Sequence, residues 1–285
     1  MSKAVSVRFI RSDQREFSMD STLFGITELT GADAPTVEIF KQAKAVGDGD
    51  IITGKRVAAR EIQCAAKLRD PALNESVRAV AAQFFNPLYT YDAIITYSGA
   101  KRLAKGAVLK GFKAPTENVY EPLRITCTLV CPSGYLLGVE NFGQDLASVT
   151  GRFGFPFISV VGKGFLFGKH NFAQTVEIIN DGDADTRFVA RMTFDGDVLN
   201  PALYNGTSYV RLLGTFGAND EVEIDMENYR VTRNGANAIT LVDRGSDFDA
   251  MAFAVGENQI RFDADDDSNL MHVTLLFHKR YLGVG

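Results

Sequence analysis

The chain has 285 residues, of which 46% are apolar and 23% charged, with a net charge of −5. That length suggests two domains, each long enough to bury a core of its own. A mildly acidic chain without long basic runs is a poor candidate for gripping nucleic acid, because counterion release needs clustered Lys and Arg. No apolar run reaches about 18 residues, and the N-terminus lacks the apolar core of a signal peptide. A membrane-spanning or secreted chain is therefore not expected.

Val5, Val7 and Phe9 alternate with polar residues, which predicts a half-buried strand. Gly25 and Gly31 punctuate the segment that follows. From 35 to 68 the pattern predicts two strands around a turn at 47–50, where glycines supply positive φ. A helix is predicted next. Asp70 suits its N-cap and Pro71 its first position. Leu73, Val77, Val80 and Phe84 form one apolar stripe, and Asn86-Pro87 stops it after about four turns. Further on, Leu123, Ile125, Cys127 and Leu129 alternate with Arg124, Thr126 and Thr128, so one face is dry and the other wet. The Pro/Gly punctuation at 131–135 places a domain boundary near residue 140, giving domains 1–140 and 141–285.

The second half changes character. A Gly- and Phe-rich stretch comes first, from about 141 to 172. Short alternating strands separated by Gly, Asn and Asp follow, which indicates an all-β sandwich. The last strand is expected to start near Leu270. Asn234-Gly235 is the clearest hairpin signal, because that pair suits a type I′ turn.

The chemistry-bearing residues are sparse. Cys64, Cys127 and Cys131 read as buried free thiols. His170, His272 and His278 are the only histidines. His272 and His278, read onto one strand, would share a face but stand roughly 20 Å apart at about 3.3 Å per residue, too far for one metal. The segment 162–169 lacks the Gly-Lys-Ser/Thr ending of a phosphate loop. Lys101, Arg102, Lys105, Lys110 and Lys113 read as a solvated or interfacial face, with phosphate binding as the alternative. Tyr204, Tyr209 and Tyr229 could stack on sugars, yet tyrosines on strands more often pack with a hydrogen-bonded tip. Asp263, Asp265, Asp266 and Asp267 lack the glycine and downstream glutamate of an EF-hand. They read as a solvated acidic loop, with Ca²⁺ as the alternative. No catalytic, cofactor-binding or metal-binding residue is assigned, and no cofactor is expected.

Several stretches, in this order, resemble the siphophage distal tail protein (Dit) family. They are "FGITELTG", "DGDIITGKRVAAREIQ", "ENVYEPLRITCTLVCPSGYL", "NFG" and "FGFPF", "INDGDADTRFVARMTFDGDVLNPALYN", "YVRLLGTFGANDEVEIDM", "GENQIRFDAD" and "RYLGV". The resemblance implies a mainly β chain. Its N-terminal part would be a split, tail-tube-like β-barrel carrying the helix, and its C-terminal part a galectin-like β-sandwich, with the last residues free to return to the first domain. It further implies a non-enzymatic hub of the tail tip or baseplate, made in the bacterial host cytoplasm. Six copies would form a ring between the tail tube and the tail-associated lysin or fibre and receptor-binding proteins. DNA would pass through the channel without specific binding, and no membrane would be involved. The alternative function is a carbohydrate-binding module for attachment to the host surface.

Overall fold

The computed structural model describes residues 5–116, 120–139, 147–148 and 174–285. The chain divides into two units: residues 1–139 together with 280–285, and residues 140–279. It is mainly β, with one α-helix among the described residues. The segment 162–169, His170 and nearly all of the Gly- and Phe-rich stretch lie outside those residues.

The first unit contains β1 (Val5–Arg11), β2 (Glu16–Met19), β3 (Phe24–Thr30), β4 (Val37–Ala43), β5 (Asp50–Val57) and β6 (Arg60–Leu68). Helix α1 (Asn74–Phe84) follows, then β7 (Thr90–Tyr97), β8 (Ala100–Lys113), β9 (Arg124–Cys131) and β10 (Leu136–Gly138). One antiparallel sheet runs β2-β1-β7-β8-β9-β6-β3. Its two end strands share no ladder, but Phe17 of β2 and Phe24 of β3 meet with ring centroids 6.0 Å apart. The sheet therefore curls around one core. Alternation drives this: Ile125, Cys127, Leu129 and Cys131 of β9 are buried, while their neighbours are not. The rings of Phe9, Phe17, Phe84, Phe85 and Tyr91 fill the space between sheet and helix.

The helix differs from its sequence reading in two respects. Asp70 does cap, accepting from Ala72 N at 2.9 Å, but it opens a 3₁₀ turn over Pro71–Leu73, and the α-helix starts at Asn74. The inward stripe is Val77, Ala81 and Phe84. Leu73 and Val80 stay exposed, Val80 to 57%. The offsets from Val77 to Ala81 and Phe84 select a face on which Val80 is only a flank.

Two buried arginines tie the unit together. Arg11 donates from Nη1 to the last carbonyls of α1, Gln83 O at 3.0 Å and Phe84 O at 2.9 Å. Its Nε and Nη2 donate to the two oxygens of Asp13 at 2.9 and 2.6 Å. That hydrogen bonding holds Asp13 at about 2, below its ordinary 3.8. Because the folded value is depressed, the contribution is present above pH 3.8 and is lost as pH falls through 2. Melting temperatures recorded against pH check this. The decline between about pH 4 and 2 should be shallower in Asp13→Asn than in the parent chain, and equal slopes would refute the assignment.

Arg60 is 4% exposed and donates four hydrogen bonds, all to backbone carbonyls. Gly134 O lies 2.9 Å from Nε, Gly31 O and Asp33 O lie 2.7 and 2.6 Å from Nη1, and Leu282 O lies 2.7 Å from Nη2. The chain end is thus fixed to the first unit. Arg280–Tyr281 pairs with β10, Val284 N donates to Ala32 O at 2.8 Å, and the Arg102 guanidinium sits 3.6 Å above the Tyr281 ring.

In the second unit, β11 (Ala147–Ser148), β12 (Gln174–Asn180), β13 (Thr186–Phe194), β14 (Val198–Leu199) and β15 (Ala202–Asn205) come first. They are followed by β16 (Ser208–Arg211), β17 (Thr215–Phe216), β18 (Glu221–Asp225), β19 (Arg230–Arg233) and β20 (Ala236–Asn237). The set closes with β21 (Ala252–Phe253), β22 (Gly256–Asp263) and β23 (Met271–Phe277). One sheet runs β11-β23-β13-β18-β19-β20 with β21 beside β13, and a second runs β12-β22-β15-β16. Alternating residues of both sheets enter one core, among them Phe188, Met192, Ile224 and Leu275 from the first and Ile178, Leu203, Ile260 and Phe262 from the second. The β19–β20 hairpin turns on Asn234 and Gly235, both at positive φ (53° and 78°), as the dipeptide predicted. β23 starts at Met271 and ends at Phe277, so His278 lies beyond the strand that carries His272.

Candidate assembly surface

The stretch 35–68 holds three strands rather than two. β6 enters the main sheet, while β4 and β5 form a separate two-stranded ribbon around the turn at 47–50, with Gly47 and Gly49 both at φ 89°. Every residue of β4 is exposed, and so are all residues of β5 except Gly54 and Val57. The exposed set includes Val37, Ile39, Phe40, Ile51 and Ile52, the last at 68%. Register puts Val37 opposite Val57 and Ile39 opposite Lys55, while Glu38 opposes Arg56 and Phe40 opposes Gly54 on the other face. Apolar side chains therefore occupy both faces of the ribbon.

Ion pairs between Glu38 and Arg56 at 2.6 Å and between Lys41 and Asp50 at 2.8 Å brace the two strands. Exposed pairs of this kind contribute little, about 0–1 kcal/mol. A two-stranded ribbon alone in water is marginal, because neither face has a layer to bury against. Clustered exposed apolar residues mark a candidate interaction surface. The sequence foretold the strands but not their exposure. The signal was present: in "EIFK" and "DIIT" two large apolar residues stand side by side, which breaks the one-face alternation of a half-buried strand.

The remaining candidates resolve into structural roles. Cys64 and Cys127 are register partners on β6 and β9, and Cys127 Sγ lies 3.7 Å from Cys64 O. The Cys64 thiol, then burial, push Cys127 well above its ordinary value, and burial raises Cys131. All three are free and buried. Lys101, Arg102, Lys105, Lys110 and Lys113 all lie on β8. Lys110 pairs with Glu61 at 2.6 Å and Arg102 stacks on Tyr281, so these two are engaged by neighbours of their own unit.

Tyr204 and Tyr209 are cross-strand partners, but the Arg261 guanidinium lies 4.1 Å from the Tyr204 ring and the Tyr209 hydroxyl donates to Asp243 at 3.1 Å. Arg187 donates to the Tyr229 hydroxyl at 2.7 Å and to Asp249 at 2.6 Å. His272 Nε2 sits 2.7 Å from Asp195 Oδ2. The acidic loop is exposed at Asp265, Asp266 and Asp267, as its composition suggested, and it is also braced. Arg211 and Asn200 both donate to Asp265, and Arg261 pairs with Asp263 at 3.2 Å, so arginines relieve part of the repulsion. Among the described residues, no group of three or more His, Cys, Asp and Glu is placed to hold a metal ion.

Two sheets around a shared core in one unit and a curled sheet carrying a helix in the other define the class of comparison. Residues 181–281 match the family described as "Siphovirus-type tail component, C-terminal domain". Among solved structures, the chain is similar to the Dit protein of phage SPP1. The two are 14% identical over 97% of this chain and 99% of that one, with a TM-score of 0.60. The SPP1 protein is described as a paradigm of the hub adsorption apparatus in phages infecting Gram-positive bacteria. A second similar structure comes from the baseplate of phage P2 in its activated conformation, at 6% identity over 96% of this chain and 98% of that one, with a TM-score of 0.50. No curated protein matches the chain. The resemblance to distal tail proteins read from the sequence is borne out by the family match and the shared fold.

Proposed function

We propose that this chain is a structural hub subunit of a siphophage tail tip or baseplate, without catalytic residues, and that six copies close a ring through their first units. The ring joins the tail tube to the tail-associated lysin or to fibre and receptor-binding proteins below it, and lets DNA pass without holding it. Assembly takes place in the cytoplasm of the bacterial host. The second unit is the galectin-like sandwich of the subunit. The observation that carries the reading is the uncovered β4–β5 ribbon, with Val37, Ile39, Phe40, Ile51 and Ile52 exposed on a chain whose fold is that of a tail hub protein. A ring needs two different faces on each subunit, one donating and one receiving. A projecting apolar ribbon is a suitable donor.

Light scattering during size exclusion tests the proposal. The mass should rise with concentration to a plateau at roughly six times 31.2 kDa. The paired substitution Ile39→Asp and Ile52→Asp should hold the protein at the monomer mass with its melting temperature unchanged, because both side chains are already exposed. A parent chain that stays monomeric at every concentration overturns self-assembly of the ring. A ring that survives the double substitution removes the ribbon from the interface.

A further inference from the structure

Helix α1 and the turn before it carry more apolar surface than the core uses. Val77, Ala81 and Phe84 pack inward. Leu73 and Val80 stand seven residues apart, two helical turns or about 10 Å, and both are exposed. Ala72, Ser76 and Ala79 continue the same side of the helix and are exposed too, so short side chains border the pair. Two further apolar residues are exposed close to the start of the helical segment. The carbonyl of Leu23 accepts from Arg69 N at 2.9 Å. Tyr120, 90% exposed, precedes Glu121, whose carbonyl accepts from Asn74 Nδ2 at 2.8 Å.

Strand β6 separates this surface from the β4–β5 ribbon. The ribbon leaves the sheet at the Arg60 end, where Ala58 N donates to Thr36 O at 2.9 Å. The helical segment leaves at the Leu68 end, where Leu68 pairs with Phe24. The strand between spans Arg60–Leu68, so the two ends lie roughly 26 Å apart at about 3.3 Å per residue. One subunit thus exposes two apolar surfaces in different places. A heterologous interface requires such a pair, whereas an isologous dimer needs only one patch.

Shape and charge match as well. Register places Val37, Val57, Ile39 and Lys55 on one side of the ribbon. β4 spans Val37–Ala43, about 20 Å at that rise, which is enough to cover the two turns between Leu73 and Val80. The ribbon carries Lys41, Lys44, Lys55 and Arg56 against Glu38, Asp48 and Asp50, an excess of one positive charge. The helical segment 70–84 carries Asp70 and Glu75 against Arg78, an excess of one negative charge. Opposite signs set register and on-rate more than affinity, and leave burial of the apolar groups as the main attraction. A convex helix face offers no concave pocket, so a small ligand is not selected. We infer that the Leu73–Val80 face of α1 receives the β4–β5 ribbon of a second copy, with the Val37–Ile39 side turned inward and Lys55 toward Asp70 and Glu75. This docking rests on the ring proposed above and supplies the receiving face that the ribbon needs.

Light scattering during size exclusion on the full chain tests the docking with two double variants. Leu73→Lys with Val80→Lys removes the receiver, and Ile39→Asp with Ile52→Asp removes the donor. All four side chains are exposed, so melting temperatures should stay within about 3 °C of the parent value. Each variant alone should hold the monomer mass. An equimolar mixture at up to about 1 mM should instead form pairs of roughly twice 31.2 kDa, because one variant keeps its donor, the other keeps its receiver, and no further copy can add. Glu75→Lys alone is a milder check. It should raise the concentration of half-assembly roughly fivefold, and about 0.5 M salt should erase the difference. A parent that assembles while the receiver variant assembles equally well overturns this docking and leaves the ring standing. So does an assembling parent whose two variants stay monomeric when mixed. A parent that is monomeric at every concentration overturns the ring and the docking together.

Discussion

Arg60→Met should lower the melting temperature of the first unit by roughly 10 °C, on a destabilisation of about 3–5 kcal/mol. The residue is almost fully buried, and desolvation lowers its pKa, so its charge is retained only because the backbone repays it. Four carbonyls from three separate stretches of the sequence converge on it: Gly31 and Asp33, Gly134, and Leu282. Methionine fills the volume and donates nothing, so all four acceptors lose their partner at once. Lysine would not rescue it, because an ammonium on a flexible stem cannot reach acceptors spread around a planar fork. Arg56→Met provides the comparison. That residue is exposed, paired with Glu38 and 5.8 Å from the Phe40 ring centroid, and its loss should cost under about 1 kcal/mol. Limited proteolysis adds a local readout, since release of Leu282 O should expose the C-terminal residues to carboxypeptidase. A melting shift for Arg60→Met no larger than that for Arg56→Met would show that the four-carbonyl knot is not holding the unit together.

The second large effect is at Gly31. Its φ is +77°, and an added Cβ would stand 2.0 Å from Glu61 O and 3.0 Å from Glu61 C. Both are backbone atoms of the neighbouring strand, so no side chain can swing away. Gly31→Ala must therefore displace the segment that presents Gly31 O and Asp33 O to Arg60, and should cost about 3 kcal/mol or more. Gly47→Ala separates strain from collision. Gly47 has a similar φ of +89° with nothing within 4 Å of the added carbon, and should cost only about 1 kcal/mol. Denaturant melts of both variants check the difference. Equal destabilisation would mean that backbone conformation alone matters and that the contact with β6 gives way without cost.

Part of the architecture was legible because it is written locally. Alternation in Leu123–Leu129 foretold the buried row of β9, and Asn234-Gly235 foretold a two-residue hairpin. Asp70-Pro71 foretold the start of the helical segment, though not that its first turn would be 3₁₀. The helix stripe was misjudged at Val80 because apolar character alone does not say which flank the sheet covers. The bracing of the acidic loop was not legible for a related reason. Its arginine partners, Arg211 and Arg261, come from other strands, and only pairing brings them alongside.

The candidate surfaces were the least legible. Residues 37–57 read as ordinary strands in the sequence, since a strand pattern carries no statement about what lies against it. The structure leaves that ribbon outside the main sheet and so exposes both of its faces.

By itself, then, the sequence determined the mainly β character, the place of the helix that follows β6, the sharpest turns and the resemblance to distal tail proteins. Each of these depends on a few neighbouring residues or on an order of short stretches. Only the tertiary structure decided that Arg60 would gather four distant carbonyls and that the chain end would pair with β10. It alone decided which apolar side chains would lie uncovered. Those outcomes depend on hydrogen bonds and burial between residues as far apart as Arg60 and Leu282, and side-chain periodicity encodes faces, not partners.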